Sequence, residues 1–161
     1  MPKCWRCARI KLGTRPNYSV CISTVMKYIQ LQPDSALPDI SDLSPFRSVV
    51  VIEETVTPEW RAQVSDWLVQ SGCLYMMAWG KECSTWDDSV DTANLEIFNY
   101  KNIPDDKFVM TTWHEDEPLK EVFWFSKHSA YHPEIEISST LVLHISNQDK
   151  KTELTAGYEN A

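Results

Sequence analysis

The stretch from Ser48 to Trp79, SVVVIEETVTPEWRAQVSDWLVQSGCLYMMAW, decides the fold. Ser48 to Glu53 is a continuous β-branched run, the composition of a strand buried on both faces. Thr57 then offers an N-cap, Pro58 suits the first helical position, and Glu59 complements the helix dipole. Trp60, Val64, Trp67 and Leu68 recur at helical spacing, and Gly72 stands where a helix stops. Leu74 to Trp79 is the next strand. Strand, helix and strand in direct succession make a βαβ unit with a right-handed crossover.

Working outward, Ser84-Thr85-Trp86-Asp87 reads as a capping box with Asp in the Glu position, and Trp86, Val90, Ala93 and Ile97 continue as a helical stripe. Phe108 to Trp113 is a third strand. Pro118 opens a third helix whose inner positions are Leu119, Val122, Phe123 and Ser126. Thr140 to Ile145 is a fourth strand. This alternation predicts an α/β fold: a small three-layer, Rossmann-like domain with about four mainly parallel strands, in the order 2-1-3-4, and three helices. Upstream, residues 32–45 hold three prolines and three aspartates and read as an irregular connection, with residues 18–31 a candidate edge strand.

The chain of 161 residues suits one domain. Residues 1–25 carry Lys3, Arg6, Arg9, Lys11 and Arg15 and no acid, so the net charge of −8 leaves −13 on residues 26–161. Residues 1–25 therefore read as a basic N-terminal extension, 26–146 as the single α/β domain, and 147–161 as a polar tail. An acidic body repels a phosphate backbone, which argues against nucleic-acid binding by the folded part. No apolar run approaches the roughly 20 residues of a membrane span, and the N-terminus has no secretory h-region, so the expectation is a cytoplasmic protein without membrane association. The five cysteines are odd in number and scattered, as reduced thiols are. Cys4-x-x-Cys7 is half of a zinc site, with only Cys21 near it.

Ligands of open α/β sheets bind beyond the carboxyl ends of the strands. That rule selects Glu53 and Glu54 after the first strand, Trp79, Glu82 and Cys83 after the second, and Trp113, His114, Glu115, Asp116 and Glu117 after the third. His144 and Ser146 end the fourth. His114 beside Glu115 has the chemistry of a general base; Cys83 ahead of a helix suits a nucleophile if it meets His114. The competing reading is a loop histidine bonded to an acidic neighbour, and an inert thiol. Glu53 with Glu115 and Glu117 would form a hard oxygen site for a divalent metal; the same acids before Pro118 also serve the N-terminus of the third helix. The turn after the first strand contains no glycine. A dinucleotide fingerprint or P-loop is therefore absent, and no nicotinamide or flavin is expected.

The run Thr111 to Phe125, TTWHEDEPLKEVFWF, resembles an uncharacterised bacterial protein family, a domain of unknown function, over roughly Phe46 to Ser146. That resemblance implies no activity and no catalytic residue. The residues themselves support two classes of function. The first is a non-enzymatic interaction or regulatory module, a small acidic or immunity-like protein that binds another protein, because indoles anchor interfaces and acidic surfaces steer basic partners. The alternative is a small metal-dependent hydrolase or phosphoryl-transfer enzyme using the acid and histidine cluster.

Overall fold

A computed structural model describes residues 25–161. Most of the basic N-terminal extension, with Cys4, Cys7 and Cys21, lies outside the described residues. The elements run β1 (Val25–Leu31), β2 (Phe46–Ile52), α1 (Pro58–Gln70), β3 (Cys73–Gly80), α2 (Cys83–Ile97), β4 (Met110–His114), α3 (Leu119–His128), β5 (Ser139–Ile145) and α4 (Lys151–Glu159). The five strands form one sheet in the order β1-β5-β2-β3-β4, and every neighbouring pair is parallel.

The local signals in the deciding stretch act as their chemistry dictates. Thr57 accepts a hydrogen bond from the Trp60 backbone N–H at 3.2 Å, Pro58 follows at the first helical position, and Gly72 leaves the helix at φ +96°. Alternation along β2 then divides the core. Val50 and Ile52 meet Trp60, Val64 and Leu68 of α1 and Trp86 and Val90 of α2. Val49 and Val51 meet Val122 and Phe123 of α3 and Leu154 and Tyr158 of α4. The result is three layers, with α1 and α2 on one face and α3 and α4 on the other.

Several expectations need correction. The strand order is not 2-1-3-4: β4 pairs with β3, and β5 lies between β1 and β2. The cause is polarity, since Leu141, Val142 and Leu143 are fully buried whereas β4 carries Thr111, Thr112 and an exposed Trp113 suited to an edge. Residues 147–161 are not a tail, because α4 buries Leu154 and Tyr158 one turn apart. Among the described residues the count is thus five strands and four α-helices. Ser84 does not cap α2, which starts two residues earlier than a Ser84 cap would give, from Glu82 in the left-handed region (φ 52°); Thr85 instead donates to the Glu82 carbonyl at 2.7 Å. Ile97 is exposed, and Asn94 takes the inner position, bonding the Lys107 carbonyl and the Val109 N–H. Residues 32–45 are irregular as expected, yet Ile40 and Leu43 close the core beside α1. Among the described residues no helix is long and apolar enough to cross a membrane.

Candidate functional site

A parallel sheet places all five carboxyl ends on one rim, and two polar groups occupy it. The first stands at the ends of β1, β5 and β2. His144 is fully buried, with Nδ1 2.9 Å from the Tyr28 hydroxyl and Nε2 3.1 Å from Glu53 Oε2. The second contact is too bent for an N–H···O bond, so Nε2 has no in-line partner. Glu53 also accepts from Lys150 Nζ at 2.7 Å and from Ser146 Oγ at 3.1 Å. Desolvation raises the Glu53 carboxyl, but the Lys150 ammonium, the adjacent His144 ring and the Ser146 hydroxyl outweigh it and hold the group below the usual carboxylate range. Burial and the nearby Asp149 carboxylate push the Tyr28 phenol up to about 12, so it stays protonated.

The second group stands at the ends of β3 and β4, where Trp79 and His114 are register partners. His114 is 8% exposed, its ring centroid 5.3 Å from that of Phe125. Its Nδ1 lies 2.8 Å from Glu117 Oε2 and its Nε2 3.1 Å from Thr112 Oγ1. The carboxylate partner requires Nδ1–H to donate to Glu117, and in the neutral ring Nε2 then accepts from the Thr112 hydroxyl. Trp79 donates its indole N–H to the Glu117 carbonyl at 2.7 Å, which anchors the loop that carries the carboxylate. A hydroxyl, an imidazole and a carboxylate are thereby connected in series.

Cys83 does reach His114, but through the wrong atoms. Its sulfur meets the His114 backbone while the imidazole faces Glu117 and Thr112. Burial pushes the Cys83 thiol up, which leaves it without thiolate character. The metal candidates are likewise separated. Glu53 is held by Lys150 and Ser146, Glu117 by His114, and Glu115 is exposed; among the described residues no three His, Cys, Asp or Glu side chains are grouped as metal ligands would be. Glu82, Glu115 and Asp116 are exposed, as is Trp113 at 53%, while Glu54 and Trp79 are half-buried. A hollow of about 710 Å³ opens instead at the amino edge beside Pro45, Cys73 and Val109.

Reasoning from the sequence reached Glu53, Trp79, Cys83, Trp113 and His114, and placed His144 and Ser146 on the same edge. It missed Tyr28 and Lys150, which meet that group across 116 and 97 residues of chain. It also missed Thr112, although the i, i+2 spacing to His114 on a strand puts both side chains on one face.

No curated protein and no solved structure matches the chain. Residues 26–161 match the family described as Domain of unknown function (DUF7684), and the chain belongs to that family.

Proposed function

We propose that the domain is a non-enzymatic binding module whose carboxyl-end rim receives a basic protein partner. The observation that carries this reading is Trp113, half-exposed near the end of an edge strand, with Glu115, Asp116 and Glu117 in the exposed turn just beyond the buried His114. An indole in a collar of carboxylates is the chemistry of an interface anchor with a steering rim. The excess of acid over the rest of the body adds long-range attraction for a cationic surface and repels nucleic acid. Such a module acts within the cytoplasm on a soluble partner. The metal-dependent hydrolase reading has lost its ligand set and is not retained.

The test is titration of a lysine- and arginine-rich peptide, followed by tryptophan fluorescence and calorimetry. Trp113→Ala should weaken binding about fivefold or more, as loss of an interface anchor does. Trp124→Ala, which removes an equally exposed indole from the outer side of α3, should leave it unchanged. Equal losses in the two variants would show that the peptide senses net charge alone and would sink the proposal.

One observation favours a second reading. The series Thr112, His114 and Glu117 has the connectivity of a nucleophile, a general base and an orienting carboxylate. A fluorophosphonate probe should then label Thr112, and His114→Gln should abolish the labelling. An unmodified Thr112 peptide by mass spectrometry ends that reading.

A further inference from the structure

We propose that the hollow lined by Arg47, between the carboxyl ends of α3 and α4, binds a small amphipathic monocarboxylate through the Arg47 guanidinium. This site is independent of the rim described above and lies at the other end of β2.

Arg47 is the second residue of β2 and only 8% exposed. A guanidinium presents five N–H donors and is always charged. Here Nη1 donates to the Ser126 carbonyl and Nη2 to the Ile137 carbonyl, while Nε is buried without a partner. Among the described residues no carboxylate lies within ion-pair distance of it. A buried cation without a counter-charge is costly and rare. The hollow it lines measures about 610 Å³, within the range of small-molecule sites. Thr155 lines the same space, and its buried hydroxyl also has no partner.

The remaining polar groups specify the charge of the occupant. Two helix carboxyl ends converge here, and their partial negative charges would ordinarily oppose an anion. Both are already answered. Arg47 satisfies Ser126 of α3, and Lys127 Nζ donates to the carbonyls of Tyr158, Glu159 and Ala161 at 3.1, 3.1 and 2.8 Å. The two lining atoms buried without any partner are Arg47 Nε and the Thr155 hydroxyl, a pair of donors that matches the two oxygens of a single carboxylate, with the His128 ring on the same wall. Glu159 also lines the hollow and opposes a second negative charge, so a monoanion fits better than a phosphate. Met26 and the Tyr158 ring supply apolar wall for a short hydrocarbon body.

Hexanoate and its neutral isostere hexanamide are titrated into the full chain, with the Arg47 Nε–H resonance followed by NMR. Hexanoate should move that resonance saturably, and hexanamide should bind about tenfold more weakly or less, as the loss of a charge-assisted bond dictates. Thr155→Val, which leaves the Arg47 bonds to α3 intact, should weaken hexanoate about fivefold. Glu159→Gln should tighten it, because a repelling charge is removed. Inorganic phosphate should bind less well than hexanoate. The proposal is overturned if hexanoate leaves the Arg47 resonance unmoved, if hexanamide matches it, or if both variants bind hexanoate as the parent chain does.

Discussion

Glu53 has the most consequential environment of any single residue on the rim, because its carboxylate is hydrogen-bonded to Lys150 and Ser146 and lies against the buried His144. Its proton affinity is depressed in the folded chain relative to the unfolded one. A depressed carboxyl contributes stability above the unfolded carboxyl range and loses it as pH falls through the folded one. Glu53→Gln should therefore cost about 1 kcal/mol at pH 7, a charge-assisted bond discounted for the exposure of Lys150. Denaturant melts should show that gap closing as the pH is taken below 4, roughly the ordinary carboxyl range. A gap that stays constant with pH would mean that the carboxylate is not what the network stabilises. The thiols make a second test at the same scale. Burial pushes Cys73 up to about 12 and raises Cys83 as well, so neither is a thiolate at neutral pH. Iodoacetamide at pH 7.5 should leave both unmodified in the native protein and alkylate both in guanidinium, as read by peptide mapping. Rapid native labelling of Cys83 would restore it as a nucleophile. Glu53, Cys83 and His114 were legible because topology alone put them on the rim. Tyr28 and Lys150 were not, since a hydrogen bond spanning a hundred residues leaves no mark on local spacing.

At the scale of elements, the tight passage from β3 to α2 fixes where the rim residues stand. Gly80 holds φ +103°, and a Cβ there would meet the Ile52 carbonyl oxygen at 2.2 Å. That same oxygen accepts the Lys81 N–H at 2.9 Å, so β2 cannot move away without losing the turn. Gly80→Ala should destabilise the fold by roughly 3 kcal/mol or more, combining a disfavoured backbone region with a backbone clash. A loss below about 1 kcal/mol in equilibrium unfolding would show that the turn relaxes. Helix α4 makes the complementary point. Its sequence, Lys151 to Glu159, is polar at most positions, with a mid-helix glycine at 157, and reads as a tail for that reason. Leu154 and Tyr158 nevertheless fall four residues apart, and Tyr158 packs edge-on against Phe123 with 5.4 Å between ring centroids. Two anchors are too few for a periodicity argument but enough to seat nine residues on a prepared face. Tyr158→Ala should cost about 3–5 kcal/mol, the penalty for a buried aromatic. A smaller effect would mean that α4 only rests on the sheet. Where a helix carries strong end signals, as α1 does at Thr57, Pro58 and Gly72, its limits are read directly from the chain.

For the whole molecule, pairing order was the least legible property, because it depends on which strands tolerate an open edge and not on any one strand's pattern. β4 is polar enough for the outside and β5 apolar enough for the inside, but adjacency in sequence suggested otherwise. Charge, by contrast, was legible in full and governs behaviour at this scale. Residues 26–161 carry −13, and the described ion pairs number five, two of them involving histidine. Most carboxylates therefore face one another across solvent, and their mutual repulsion opposes the compact state. Salt should relieve it, since the screening length contracts from about 30 Å at 0.01 M to about 8 Å at 0.15 M. Raising sodium chloride over that range should increase the melting temperature by a few degrees, whereas loss of the Lys150–Glu53 pair to screening would lower it. The two effects have opposite signs, and a few degrees in a domain of this size corresponds to about 1 kcal/mol. The excess of unpaired acid decides the outcome in favour of stabilisation. The same salt step should weaken the basic peptide at Trp113, so that stability and partner affinity move in opposite directions along one titration. A melting temperature that falls with salt would show that local ion pairs outweigh the net field, and the electrostatic basis of the proposed partner surface would fall with it.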